Sequence, residues 1–268
     1  MLPLAGLALS SLFFSHSALA ACDTVLAPDL RYIEAPGSYC LNADRARQII
    51  ISADNVELDC RGRTVSLPTD QVENHGVHVR RGNNVIIRNC RFERWPVAVQ
   101  VEEFSNVQIL NNTIVEPAGM AINVFGGDRP EGDGLRVIGN RTIYYDAVNS
   151  FDDAIAIWHS PRPVLTNNVV VGFQGRASIR LERSPDARLT GNQLLDLHEG
   201  SATSILLNES PRAQLAHNTI MLRHGVNARA VQGAIDAACI ENVFINTVHS
   251  GLESCAVRRY NVERINND

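Results

Sequence analysis

The feature that most limits the folds open to this chain is a phrase that returns in register. Ser160-Pro161-Arg162-Pro163-Val164-Leu165 comes back as Ser184-Pro185-Asp186-Ala187-Arg188-Leu189, and again as Ser210-Pro211-Arg212-Ala213-Gln214-Leu215. Three residues after each closing Leu stands an Asn: Asn168, Asn192 and Asn218. The same offset places Asn112 after Ile109, Asn140 after Val137 and Cys90 after Ile87. A second phrase, a small residue followed by apolar-x-apolar, recurs alongside it. Its copies are Gly76-Val77-His78-Val79, Ala98-Val99-Gln100-Val101, Ala121-Ile122-Asn123-Val124, Ala154-Ile155-Ala156-Ile157, Ser178-Ile179-Arg180-Leu181 and Ser204-Ile205-Leu206-Leu207. Such alternation turns one face of a strand inward and the other outward.

Equivalent residues are separated by 22 (Gly76 to Ala98) to 33 (Ala121 to Ala154) positions. Each unit holds two or three short strands parted by Gly, Pro, Asn or Ser. No unit has room for a ten-residue amphipathic helix, which excludes a βαβ sheet. The Leu-x-x-Leu-x-Leu phrasing of leucine-rich repeats is absent. One strand set per repeat, stacked along an axis, predicts an all-β, single-stranded right-handed parallel β-helix of about eight coils. Equivalent residues of neighbouring coils then lie about 4.8 Å apart. The Asn column is expected to hydrogen-bond along the stack and satisfy the polar groups of the bend. Ordinary turn asparagines would account for one or two cases, not five in register.

The chain has 268 residues, 45% of them hydrophobic, which suits one large domain or two small ones; the continuous repeat favours one, spanning 21–268. A net charge of −5 argues against general nucleic-acid binding. Residues 1–20 carry no charged side chain, and an apolar core from Leu2 to Phe14 leads to Ala18-Leu19-Ala20. This predicts a removed secretory signal peptide, although its start lacks Lys or Arg. No later stretch is long and apolar enough to span a membrane. Leu19-Ala20-Ala21-Cys22 also fits the box read by lipoprotein signal peptidase, so a lipid anchor on Cys22 competes with a disulfide there. Six cysteines in an exported chain read as disulfides, paired Cys22–Cys40, Cys60–Cys90 and Cys239–Cys255. Cys60 and Cys90 fall at matching turns of neighbouring coils. Zinc is the weaker reading, because no Cys-x-x-Cys occurs. The expectation is a periplasmic or secreted monomer, touching a membrane only if Cys22 is lipidated.

The run Pro36-Gly37-Ser38-Tyr39-Cys40-Leu41, leading to Ala53-Asp54-Asn55-Val56-Glu57-Leu58-Asp59-Cys60-Arg61-Gly62-Arg63-Thr64-Val65, resembles the opening coil of exported proteins in the pectate-lyase-like β-helix superfamily. Asn84-Val85-Ile86-Ile87 and Asn106-Val107-Gln108-Ile109 add to the likeness, which covers nearly all of 36–265. The resemblance implies the fold. Its members include polysaccharide lyases, C5 epimerases, glycosidases and substrate-binding proteins without known chemistry, so activity has to be argued from the site.

Aligning the coils gives three columns on the outer face of one sheet. They read His78, Gln100, Asn123, Ala156, Arg180, Leu206; then Arg80, Glu102, Phe125, Trp158, Glu182, Asn208; then Arg81, Glu103, Gly126, His159, Arg183, Glu209. A fourth, His75, Val97, Met120, Asp153, Ala177, Thr203, precedes them. Phe125 and Trp158 are adjacent in one outward column, and flat faces of that kind stack on sugar rings. The alternative is that the loop 126–134 folds over and buries them. Loops 126–134 and 144–153 leave coils near these aromatics and are expected to wall a binding face.

Around that face lie Asn123, Asp153, His159, Arg176, Arg180, Glu182 and Arg183. An acidic sugar needs its carboxylate neutralised before the adjacent carbon loses a proton, and the Arg fork supplies that charge. His159, or an Arg of lowered pKa, would be the base. Elimination of the 4-linked sugar makes a lyase; reprotonation from the other face makes an epimerase. The plainer alternative pairs each Arg with Glu182 or Asp153 as surface charge, and a non-catalytic carbohydrate-binding or envelope-associated β-helix is the competing function. Asp152 and Asp153 point to opposite faces and make a poor glycosidase pair; Asp153 with Glu182 is the better one. The catalytic expectation is His159, Arg180, Glu182 and Asp153, with Asn123, Phe125, Trp158, Arg176 and Arg183 binding the polysaccharide. Asp128, Glu131 and Asp133 offer oxygens of the kind calcium takes, without EF-hand spacing; a solvated acidic loop is the alternative. His75 and His78, three apart, are expected to share a strand face poorly, which disfavours them as metal ligands.

Overall fold

The computed structural model describes residues 22–67, 73–126, 133–145, 152–198, 203–223, 228–247 and 249–264. Residues 1–20, expected to be a signal segment, most of the two loops expected to wall a binding face, and Asp128 and Glu131 lie outside the described residues. Within them the chain winds as a right-handed parallel β-solenoid. Every coil visits three sheets in turn, here A, B and C. Sheet B holds the long strands His75–Arg80, Val97–Glu102, Met120–Phe125, Asp153–Trp158, Ala177–Glu182 and Thr203–Asn208. Sheet A follows with three-residue strands such as Ile86–Arg88 and Val164–Thr166, then sheet C with Arg91–Glu93 and Val169–Val171. Among the described residues sheet A has 11 strands and sheets B and C have 9 each, all paired parallel. The expected single-stranded parallel β-helix is the observed architecture. The two repeated phrases mark the A and B strands.

The register follows the phrases residue by residue. Leu165 pairs with Leu189 and Leu189 with Leu215 in sheet A. The inward positions Val77, Val99, Ile122, Ile155, Ile179 and Ile205 are buried in one continuous apolar core. The small residue opening each B strand also points inward, immediately before an inward apolar residue: Gly76, Ala98, Ala121, Ala154, Ser178 and Ser204 are all fully buried. At Gly76 a Cβ would sit 2.7 Å from the Ala98 carbonyl oxygen and 2.8 Å from the Phe92 ring. Neighbouring B strands stay in register through this pair, Val97 pairing with His75 and Val99 with Val77.

The A-to-C bend is built the same way in each coil. One residue adopts the left-handed conformation: Asn89, Asn111, Asn167, His217 and Glu241 at φ of 52–56°, and glycine at 139 and 191. A Cβ at Gly139 or Gly191 would come within 2.4 Å of the Asn111 or Asn167 side-chain oxygen. The next residue is the buried Asn of the column. Each Nδ2 donates to the next Asn Oδ1 at about 3.0 Å, from Asn112 through Asn140, Asn168, Asn192 and Asn218. The same oxygens accept the backbone N–H of the preceding coil's Asn. The ladder runs two rungs further than the sequence phrase suggests, to Asn242 and Asn261. At its other end Cys90 replaces Asn, giving its N–H to Asn112 Oδ1 and its sulfur to Cys60. Ser160, Ser184 and Ser210 form a shorter buried row, each backbone N–H donating to the next hydroxyl.

All three expected disulfides are present: Cys22–Cys40, Cys60–Cys90 and Cys239–Cys255. The Cys22 sulfur is thus engaged with Cys40, and a sulfur in a disulfide carries no thioether to lipid.

Candidate functional site

The outer face of sheet B has sheltered central side chains. Its middle column, His78, Gln100, Asn123, Ala156, Arg180 and Leu206, is in register coil by coil. His78 and Gln100 are 5% exposed and Ala156 is fully buried. These residues point away from the core, so their burial comes from the columns on either side. On one side stand His75, Val97, Met120, Asp153, Ala177 and Thr203; on the other stand Arg80, Glu102, Phe125, Trp158, Glu182 and Asn208. The result is a trough along the helix axis.

At its C-terminal half, Arg180 rises from the floor with its guanidinium carbon 4.2 Å from the centre of the Trp158 ring. Its Nη2 donates to Glu182 Oε2 at 2.7 Å and its Nη1 lies 3.6 Å from Asp153 Oδ2. Asp153 is 1% exposed and is gripped by Arg176 through Nε at 3.1 Å and Nη2 at 2.7 Å. The bond from Asp153 raises the Arg176 pKa further. Burial pushes the Glu182 carboxyl upward, but hydrogen bonds from Asn208 and Arg180 outweigh it and hold the carboxyl below its usual range. Phe125 is 37% exposed, and its ring centre is 5.2 Å from that of His159. Arg183 bonds Glu209 at 2.8 Å and reaches His159 Nε2 at 3.5 Å. His159 and Arg183 both adopt the left-handed conformation, at φ of 52° and 47°, where the strand leaves the sheet.

The structure therefore gathers Phe125, Trp158, His159, Arg176, Arg180, Glu182, Arg183 and Asp153 on neighbouring coils. It also shows that Arg176, Arg180 and Arg183 are bonded to carboxylates. The plainer sequence alternative, pairing with Asp153 and Glu182, describes Arg176 and Arg180. Asn123 lies on the floor in the coil of Phe125, two coils from Arg180, donating to Gln100 Oε1 at 2.9 Å. Asp152, just before the strand Asp153–Trp158, is exposed while Asp153 is buried. Asp133 is bonded to Arg162, which holds its carboxyl below the usual range. No cluster of three metal-ligating side chains occurs among the described residues.

One expectation is corrected. His75 and His78 do share a face: their ring centres are 4.6 Å apart. The residues between them, Gly76 and Val77, both point inward, so positions three apart emerge on the same side. Around this pair lies a polar group that sequence reasoning did not assemble. Arg80 Nε donates to His78 Nδ1 at 3.2 Å, and His78 Nε2 lies 3.3 Å from Glu102 Oε2. His75 Nδ1 lies 3.4 Å from Gln48 Nε2. Burial, with His78 beside it, depresses the His75 pKa to about 4, and burial also depresses His78 against the pull of Glu102. A cavity of about 430 Å³ opens beside Arg80, lined by Ser52, Arg81, Glu102 and Glu103.

The profile of a family described as right handed beta helix region matches residues 75–244. The chain belongs to that right-handed β-helix family. No curated protein matches this β-helix protein. Among solved structures it resembles alginate lyase AlyF-OU02 in complex with G6, with a TM-score of 0.51 and 14% identity over 87% of this chain and 58% of that one. The β-helix protein thus spans somewhat more than half the length of that lyase, and at this identity the likeness is one of fold.

Proposed function

We propose that this β-helix protein binds an acidic polysaccharide along the trough of sheet B, at the periplasmic or extracellular side, as an exported domain following a signal peptide at 1–20. The observation that carries the reading is the pair of neighbouring partly open aromatics, Phe125 and Trp158, in one outward column with Arg180 stacked on the indole. Aromatic faces take the apolar face of a sugar ring, and guanidinium groups take its carboxylate. Three disulfides fit an oxidising compartment. The fold shared with an alginate lyase solved with G6 supports a polymer of this class.

Two chemistries fit. In the first, the trough also removes the proton next to the bound carboxylate, with His159 as base, giving elimination or epimerisation. The second reading is a non-catalytic binder. It is favoured by the pairing of Arg180 with Glu182 and Asp153, which leaves less positive charge for an incoming carboxylate.

The test uses intrinsic fluorescence, because the chain has two tryptophans and Trp95 is fully buried, so Trp158 reports the trough. Titration with alginate, pectate and glycosaminoglycan oligosaccharides should shift the emission for one class. Trp158→Ala should weaken that binding by about tenfold, or about 1.4 kcal/mol, measured by calorimetry. Ultraviolet absorption of an unsaturated product separates lyase from binder. Unchanged affinity in Trp158→Ala would remove the trough from the reading.

A further inference from the structure

We infer that Arg80, held in place by His78, forms a second carboxylate-binding subsite in the trough, taking another acidic sugar of the polymer that rests on Trp158. The inference builds on the proposed polysaccharide trough and adds a position to it.

Four arginines on or beside the outer face of sheet B, Arg81, Arg176, Arg180 and Arg183, each contact a carboxylate within 3.0 Å. Arg80 has no such carboxylate among the described residues. Its side chain is exposed beside the 430 Å³ cavity. A guanidinium with its two Nη groups uncommitted is a fork that matches a carboxylate.

Its orientation is fixed from below. Arg80 Nε donates to His78 Nδ1, so Nδ1 must present a lone pair and the proton of the neutral ring sits on Nε2, towards Glu102. His78 is 5% exposed and cannot move aside. Arg80 is thereby held by its Nε where it lines the cavity. His78 is a positioning residue: it touches Arg80, not the ligand. Protonating it would place a donor opposite a donor and release the guanidinium.

The spacing fits a polymer. Arg80 and Trp158 share one column three rungs apart, through Glu102 and Phe125. At about 4.8 Å per rung this is roughly 14 Å, beyond the reach of a single sugar. A ligand occupying both positions must be an oligomer with acidic groups on more than one residue.

The experiment measures binding of di- and hexa-oligouronates (guluronate and galacturonate series) by Trp158 fluorescence in wild type, Arg80→Gln and Arg80→Lys. Arg80→Gln should weaken the hexamer by about tenfold and leave the dimer unchanged. Arg80→Lys keeps the charge but loses the Nε–H to His78, and should recover only part of the loss. Hexamer affinity of wild type should fall on acidification as His78 protonates, while Arg80→Gln shows no such fall. The groups facing His78 that share this titration are His75, Arg80 and Glu102, with the uncharged Gln48 beside His75. Hexamer binding that quenches Trp158 equally in wild type and Arg80→Gln overturns the subsite and leaves the trough standing. Failure of every oligomer to bind wild type overturns both.

Discussion

Substitution of Asn168 by Ala tests what holds the coils together. Asn168 Oδ1 accepts the Asn140 backbone N–H at 3.1 Å and the Asn140 Nδ2 at 3.1 Å. Its own Nδ2 donates to Val137 O at 2.8 Å and Asn192 Oδ1 at 3.0 Å. Removing the side chain strips the Asn140 N–H of this acceptor and Val137 O of this donor. Asn140 Nδ2 keeps Ile109 O, and Asn192 Oδ1 keeps the Asn168 backbone N–H. The buried Asn140 N–H therefore loses its acceptor and Val137 O loses one of two donors, so Asn168→Ala should cost about 2–4 kcal/mol. That is a large part of the 5–15 kcal/mol usual for a domain, roughly. The comparison is Asn84→Gly. Asn84 belongs to an exposed row, bonded to Asn55 and Asn106 at 2.9 and 2.7 Å, and glycine keeps its φ of 54°. Water replaces those bonds, so the cost should stay under about 1 kcal/mol. Urea unfolding followed by circular dichroism measures both. Because each coil contacts only its neighbours, the Asn168 variant should also unfold over a broader range, its two halves uncoupled. Equal costs for the two variants would refute the claim that burial gives the inner ladder its strength.

Two further outcomes follow from the trough. Asp153→Asn leaves Arg180 with Glu182 alone and weakens the grip on Arg176; since Arg176 is 45% exposed and can rehydrate, the loss of stability should be about 2–3 kcal/mol, read from the same urea curves. His75 should titrate near pH 4 in a two-dimensional NMR titration, not near 6.5, because burial and His78 oppose its charge. The unfolded chain then binds a proton that the folded chain refuses, so stability is lost as pH falls from about 6.5 to about 4 and levels off below; a midpoint above 6 would contradict the burial argument.

The solenoid was legible because its signals are local and repeated. The phrase ending in Leu165, Leu189 and Leu215 marks sheet A, and the offset to Asn168, Asn192 and Asn218 marks the bend. Asn242 and Asn261 escaped notice because their coils carry Cys239 and Arg258 at the Leu position. The outward columns could be read off as well, since register alone decides them. What register does not decide is where a long side chain goes. Arg176 and Arg180 turn to Asp153 and Glu182, choices set by burial of Asp153 that no spacing announces. The contact of His75 with His78 was hidden for a different reason: strict alternation places residues three apart on opposite faces, and only the inward turn of Gly76 undoes it. The small residue opening each B strand was visible in the sequence, and its effect on the faces was the part that needed coordinates.

Since each turn of the chain offers the same outward positions, duplicating one whole turn would lengthen the binding surface by one more step and leave the packing inside unchanged. Gaining or losing only part of a turn would throw every later column out of line. Ligand length in such a protein is therefore something that can be tuned by counting turns, with the Cys60–Cys90 and Cys239–Cys255 clasps marking the two ends between which the count is free to change.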